Sequence, residues 1–279
     1  MNELRALPEI PVDHARLAPI GPATDPCGED WTFSVGQRRI QAPVIAMLPP
    51  GNQAVAAARA LQQTIGVLLV PQAPSWQEQA RLVREIKQGL FAAPAALAVA
   101  VATAAESLIT SAKELAQAGA EILVVWTAAA AELAADCIGQ IKCFYPRMDV
   151  LAGPVATPAA AAALISAGAD GVIPDCRSLR LLGACAAAAH RRGASAIAAL
   201  PAPEALSSQR VLLALALGFD AVLISANAAA GLTGIAQETV GSAGLPARLA
   251  RQAGDLGYQS LAHVRRAAMF TDGSQPNCR

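Results

Sequence analysis

Aromatic side chains are scarce in this sequence, at 4% of its residues, which argues against base-stacking platforms and ring-lined carbohydrate clefts. Charge is thin as well: 15% of residues are charged, and 21 Lys and Arg balance 21 Asp and Glu. A chain with no excess of positive charge cannot build the field that phosphate backbones demand, so nucleic acid is not an expected partner. Cys27, Cys137, Cys143, Cys176, Cys185 and Cys278 are scattered, with no Cys-x-x-Cys pair and no histidine at metal spacing, so a zinc site is not expected. In a reducing compartment they would stay thiols, most of them small apolar fillers. Long apolar runs are missing too. Leu90 to Ala105 is the best membrane candidate, but it is shorter than a span, mostly alanine and broken by Pro94, so no membrane role is expected. The opening MNELRALPEI lacks a basic segment followed by an apolar one, and the expected location is therefore cytoplasmic.

What the chain does have is apolar residues, 54% of 279, enough for one large core. Residues 1–38 are rich in Pro, Gly and charge without a sustained period and read as an N-terminal arm packed against the rest of the chain. Residues 39–279 read as one (β/α)8 TIM barrel, because a unit of roughly 20 to 30 residues repeats there: a short aliphatic run, a turn, then a helix with apolar three- and four-residue spacing. The expected strands are Ile40–Met47, Ile65–Val70, Ala95–Val101, Ile122–Trp126, Val150–Gly153, Gly171–Pro174, Ser195–Leu200 and Ala221–Ser225. Each is a continuous apolar run, as strands buried on both faces should be. Ser75 with Glu78 and Thr103 with Glu106 have capping-box spacing, and Thr157 precedes Pro158 as an N-cap would. Gly119, Gly168 and Gly218 stand where helices should end in a left-handed residue. Pro246–Leu256 and Ser260–Phe270 read as terminal helices, with a frayed tail after them.

The segment Gly153–Val172, GPVATPAAAAALISAGADGV, resembles the strand, turn, helix and strand of the IMP dehydrogenase/GMP reductase family. APVIAMLPP at Ala42–Pro50, IGVLLVPQAPSWQEQARLVREIK at Ile65–Lys87, AGAEILVVWTA at Ala118–Ala128 and LGYQSLAHVRRAAMF at Leu256–Phe270 extend the likeness over roughly 41–270. The regulatory insertion of many IMP dehydrogenases would fall near Gln88–Pro94, where there is no room for it. The resemblance implies a barrel enzyme acting on a purine nucleotide with NAD(P), a cysteine nucleophile after the sixth strand, and association into homo-oligomers or with a homologous enzyme.

In such barrels the chemistry sits where strands end. After the sixth strand stand Pro174-Asp175-Cys176-Arg177-Ser178-Leu179-Arg180, which puts Cys176 near the family's nucleophile, with Arg177 and Arg180 able to lower its pKa or hold an anion. The family's glycines are absent from that loop. After the seventh strand the resemblance implies Asp-Gly-Gly, yet Leu200-Pro201-Ala202-Pro203-Glu204 is present, and prolines remove amide donors. After the eighth, a Gly-rich phosphate loop is replaced by Ser225-Ala226-Asn227-Ala228. After the fourth, Trp126 stands where the dehydrogenases tend to have Asp, so that a ring fills the mouth of the barrel or lines a pocket. The residues 226–244 are too few for the long flap that activates water in the dehydrogenases.

The expected site is thus Cys176 as a catalytic candidate, with Trp126, Asp175, Arg177, Arg180, Glu204 and Asn227 as ligand-binding candidates. The expected function is that of a divergent family member without the inherited oxidoreduction, a pseudoenzyme that binds, scaffolds or regulates. The alternative is an enzyme of altered chemistry using Cys176 on a nucleotide-like or flavin-bearing ligand, although the motifs for NAD(P) or FMN are not retained. His190 is expected to serve the end of a helix at the opposite face, and His14 and His263 to lie on the surface.

Overall fold

The computed structural model of the chain describes residues 15–17, 31–62, 64–90, 96–101, 108–126, 131–175, 178–200, 208–233, 245–258, 263–264 and 270–272. Eight parallel strands close into a barrel: β4 (Val44–Met47), β5 (Val67–Val70), β6 (Ala96–Val101), β7 (Ile122–Trp126), β8 (Asp149–Val155), β9 (Gly171–Pro174), β10 (Ser195–Ala199) and β11 (Ala221–Ser225), which returns to β4. Between and after them run α1 (Gln53–Leu61), α2 (Trp76–Gly89), α3 (Leu108–Ala118), α4 (Ala131–Phe144), α5 (Pro158–Ser166), α6 (Leu179–His190), α7 (Ser208–Ala216), α8 (Ala226–Thr233) and α9 (Leu245–Asp255). The protein is a (β/α)8 barrel.

The strands are apolar on both faces because each face has its own core. Ile45, Val67, Leu69, Val124, Ile173 and Ile197 point into the barrel interior. Val44, Ala46, Leu68, Val70, Leu123 and Val125 pack outward under the helices. Alternate residues of one run thus serve two cores, which abolishes the polar alternation of a one-sided sheet. Local chemistry fixes the helix starts: the Ser75 side chain accepts from the Glu78 amide at 3.2 Å, and Thr157 accepts from the Ala160 amide at 3.2 Å with Pro158 in the first turn. Gly119, Gly168 and Gly218 adopt φ of 111°, 111° and 95°, so the expected left-handed helix ends are present. Thr103 and Glu106 lie outside the described residues.

Three expectations about the periphery change. Ile40 is not in the first barrel strand, which begins at Val44; it ends a hairpin of β2 (Phe33–Val35) and β3 (Arg38–Ile40). Phe33, Val35 and Ile40 are buried with the barrel interior, and the hairpin therefore plugs the base while straddling the expected boundary at 38/39. Phe270 ends no helix: β12 (Phe270–Asp272) pairs antiparallel with β1 (Ala15–Leu17), so the arm gains a strand partner from far along the chain. His263 is half-buried, its ring edge-on to Tyr258 at 5.8 Å between centroids, because Tyr258 is fully buried beside it.

The base of the barrel is bound together by charge. Arg38 lies 2.9 Å from both Glu121 and Asp149, the latter contact without its N–H aimed at the oxygen. Lys87 pairs with Glu121, Lys142 with Asp170 at 2.6 Å, and His190 with Asp220 at 2.8 Å. A single device recurs here: an acid just before a strand, two residues after a left-handed glycine, meets a cation near the end of a helix two units earlier. The acids also hold backbone, since Asp170 accepts from the Val150 amide at 2.7 Å and Asp220 from the Ala196 amide at 2.9 Å. The Ser195 hydroxyl donates to the Ser34 carbonyl and the Gln37 amide to Asp149, fastening the hairpin to two strand starts.

Candidate functional site at the barrel mouth

The carboxyl ends of the strands form the mouth, and the structure places there each expected site residue that it describes. Trp126 is the last residue of β7, half-buried, and packs on the interior cluster. Gly153 of β8 is its partner in register. A Cβ on Gly153 would lie 2.7 Å from Ile173 Cβ and 2.8 Å from the Ile173 carbonyl, so close strand packing requires this glycine of the GPVAT segment. Its peptide bond to Pro154 is cis.

Asp175 comes directly after β9; its amide donates to the Val155 carbonyl at 3.0 Å and the residue is exposed. Arg180 is the second residue of α6 and Asn227 the second of α8, both exposed. Of these four, Trp126 is the one packed on the barrel interior. Cys176, Arg177 and Glu204 lie outside the described residues. Two further residues stand at the mouth: Met47, 37% exposed at the end of β4, and Ser225, beside it in register at the end of β11. The available signal for Met47 was its place near the end of the apolar run that stops at Pro49-Pro50.

After β11 the chain passes without a loop from Ser225 into α8. The Ser225 hydroxyl accepts from the Ala228 amide at 3.3 Å, so a side chain of the protein occupies one of the amides that such a helix start leaves open. Ala226 and Ala228 are buried. This arrangement does not fit a Gly-rich phosphate loop, whose backbone donors must face the ligand.

At the rim, a small cleft of about 60 Å³ lies between the segments after β4 and β5, lined among others by Pro50, Asn52, Pro71, Glu78 and Arg81. Beneath it the buried Gln79 amide donates to the Pro71 carbonyl at 2.9 Å and the Ala100 carbonyl at 2.7 Å, tying the ends of β5 and β6 together.

Away from the mouth, Cys137 and Cys185 are buried and Cys143 is exposed. Burial, with Asp136 next to it, pushes the Cys137 thiol up, away from the reactive thiolate. Among the described residues no group of three His, Cys, Asp or Glu could hold a metal ion, and no helix is long and apolar enough to cross a membrane.

Residues 36–173 match the model of the IMP dehydrogenase / GMP reductase domain, a stretch that runs from the base hairpin through β4 to β9. Over that stretch the barrel is similar to the IMP dehydrogenase / GMP reductase domain. No curated protein matches the chain significantly. The matched stretch ends one residue before the end of β9 and so stops short of Cys176, the Leu200–Glu204 segment and the β11–α8 junction.

Proposed function

We propose that this family member binds a small nucleotide-like ligand at its mouth and has given up the family's oxidoreduction, acting as a binding, scaffolding or regulatory pseudoenzyme. It would do so in the cytoplasm, as a homo-oligomer or bound to a homologous enzyme. The observation that carries the reading is the β11–α8 junction, where the capping Ser225 takes the place of a phosphate loop. A phosphate group there would have to displace that cap, and the same objection holds for the phosphate of FMN or the pyrophosphate of NAD(P). What the mouth offers instead is the half-buried Trp126 ring and the exposed Met47, which favour the flat face of a base over a charged tail.

The second reading, an enzyme of altered chemistry using Cys176 with Asp175, Arg177, Glu204 and Asn227, draws support from Asp175 and Arg180. These two exposed residues stand at the mouth, on either side of Cys176 in the sequence.

A thermal-shift panel of IMP, GMP, XMP, NAD, NADPH and FMN, run beside assays for IMP oxidation and GMP reduction, separates the readings. A ligand at ten times its Kd stabilises by about 1.4 kcal/mol, a readable shift. The proposal expects a shift with a purine ligand that Trp126→Ala abolishes, and no turnover. Turnover lost in Cys176→Ala would establish the second reading in its place.

A further inference from the structure

Strand register gathers three chemically different side chains into one layer of the mouth. Ile45, Val124, Ile173, Ile197 and Leu223 face the barrel interior. Side chains alternate along a strand, so the next inward positions are Met47, Trp126, Asp175, Ala199 and Ser225. In a barrel of this kind a layer draws its inward side chains from alternate strands, and strand tilt lifts it by about one residue per strand above the pairing register. That register runs from Trp126 to Gly153 of β8, on to the level of Ile173 in β9, and through Ile197 to Ala221 of β11. With the lift, Trp126, Asp175 and Ser225 share the uppermost layer, and Pro71 after β5 is its fourth corner. The strands β7 and β11 are four apart in either direction around the barrel, so Trp126 and Ser225 face each other across the mouth. Asp175 stands between them on one side. The floor beneath, from the other four strands, is Ala100, Gly153, Ala199 and Met47, uncharged and mostly small.

This layer offers a ring, a carboxylate and a hydroxyl, and no cation. Arg180 lies outside it, in the first turn of α6, and is already engaged by other groups of the chain. A phosphate at the mouth would meet the like charge of Asp175, and the Ala228 amide is taken by the Ser225 cap. The same three groups suit a neutral flat ring. One indole face stacks one base, although a platform for a strand of bases needs several. A carboxylate only accepts, so it selects a ring edge with adjacent N–H donors, and its bonds to them are charge-assisted. The Ser225 oxygen accepts from Ala228, which leaves its proton to donate toward the far side of the ring. Guanine presents two adjacent donors on its pairing edge, whereas adenine sets an acceptor beside its donor.

We propose that the mouth takes a guanine-type base or nucleoside and not the corresponding nucleotide. Trp126 stacks on the ring, Asp175 accepts from its N–H edge, and Ser225 donates from the opposite wall. The inference rests on the reading of the mouth as a ligand site and names the class of ligand.

Calorimetric titration of the full chain with guanosine, adenosine and GMP tests it. Guanosine should bind at least tenfold tighter than adenosine, and GMP no tighter than guanosine. Trp126→Ala should lose at least tenfold in guanosine affinity, and Trp126→Phe, which keeps a stacking ring, should retain most of it. Asp175→Ala, at an exposed position, should erase the preference for guanosine over adenosine, a split that general damage to the fold does not produce. Circular dichroism and thermal unfolding of each variant establish that it is folded. GMP binding tighter than guanosine overturns the ligand class and leaves the reading of the mouth standing. Adenosine binding as tightly as guanosine, or a preference that survives Asp175→Ala, overturns the role of Asp175 and with it the guanine-type assignment. Binding of none of the three overturns the inference, and the reading of the mouth falls with it only if the nucleotide panel is silent as well.

Discussion

The two ends of the barrel are built from different chemistry. At the base, Arg38, Lys87 and Lys142 meet Glu121, Asp149 and Asp170 in ion pairs between elements distant in sequence, and the His190 ring meets Asp220 at 2.8 Å. At the mouth, the strand ends carry Met47, Trp126, Ala199 and Ser225, and the polar site candidates Asp175, Arg180 and Asn227 stand exposed just beyond them. In a barrel the base serves stability and the mouth serves function. This chain spends its organised charge on the former. Asp170 and Asp220 also hold the strand amides of Val150 and Ala196, which is why their pairs matter more than surface salt bridges of the same length.

Removing an acid from the base should be the most damaging change to that contrast. Asp170→Ala strands the Val150 amide and leaves the Lys142 ammonium with the Met148 carbonyl but no counter-charge, and should cost about 3 kcal/mol in urea unfolding. Trp126→Ala, at the mouth, removes a half-buried ring and should cost about 1–2 kcal/mol, less than full burial implies. Equal losses from the two variants would break the comparison.

The recurring device can be divided into its parts. Asp220→Ala removes both the His190 contact and the Ala196 amide contact and should cost about 1.5 kcal/mol, whereas His190→Ala removes only an exposed partner and should cost about 0.5 kcal/mol. Equal effects would mean that the pair itself, and not the backbone contact, carries the stabilisation.

Ser225→Ala sharpens the view of the mouth: loss of this cap should lower stability by less than about 1 kcal/mol, because its 3.3 Å bond is long. If phosphate stabilises the variant but not the wild type, the cap is what excludes the anion.

Asp149 adds a pH signature. Burial pushes its carboxyl above the usual range despite the Gln37 amide and the neighbouring Arg38 and Lys142, which pull it down. An acid whose folded pKa is raised binds its proton more tightly in the native state, so its contribution is most favourable below the unfolded pKa and is lost as pH rises through the folded one. The stability difference between wild type and Asp149→Asn should therefore fall across the window from the ordinary carboxylate value up to the raised one. A difference that is flat with pH would show that the charges around Asp149 compensate its burial.

Sequence reading reached the barrel through features that act locally. Thr157 before Pro158, Ser75 three residues before Glu78, and glycines at helix ends declare themselves within a few positions, and strands buried on both faces show as unbroken apolar runs. The family, too, was legible, because its likeness runs through those same turns. The site was less so. Residue identities alone predicted that the family's glycine loops are missing, but that Ser225 caps the helix replacing one of them depends on how β11 meets α8. Met47 had no partner pattern to mark it, and the hairpin plug gave no period because it is only two short strands.

By itself the sequence determined the order of strands and helices and where most of them begin, since capping, turn conformation and apolar period are set by neighbouring residues. Tertiary structure decided the pairings that join distant positions: β1 with β12, Arg38 with Glu121 and Asp149, and Trp126 beside Gly153. Contacts between residues tens to hundreds of positions apart leave no local trace, because their free energy is gained only once closure of the barrel has brought the partners together.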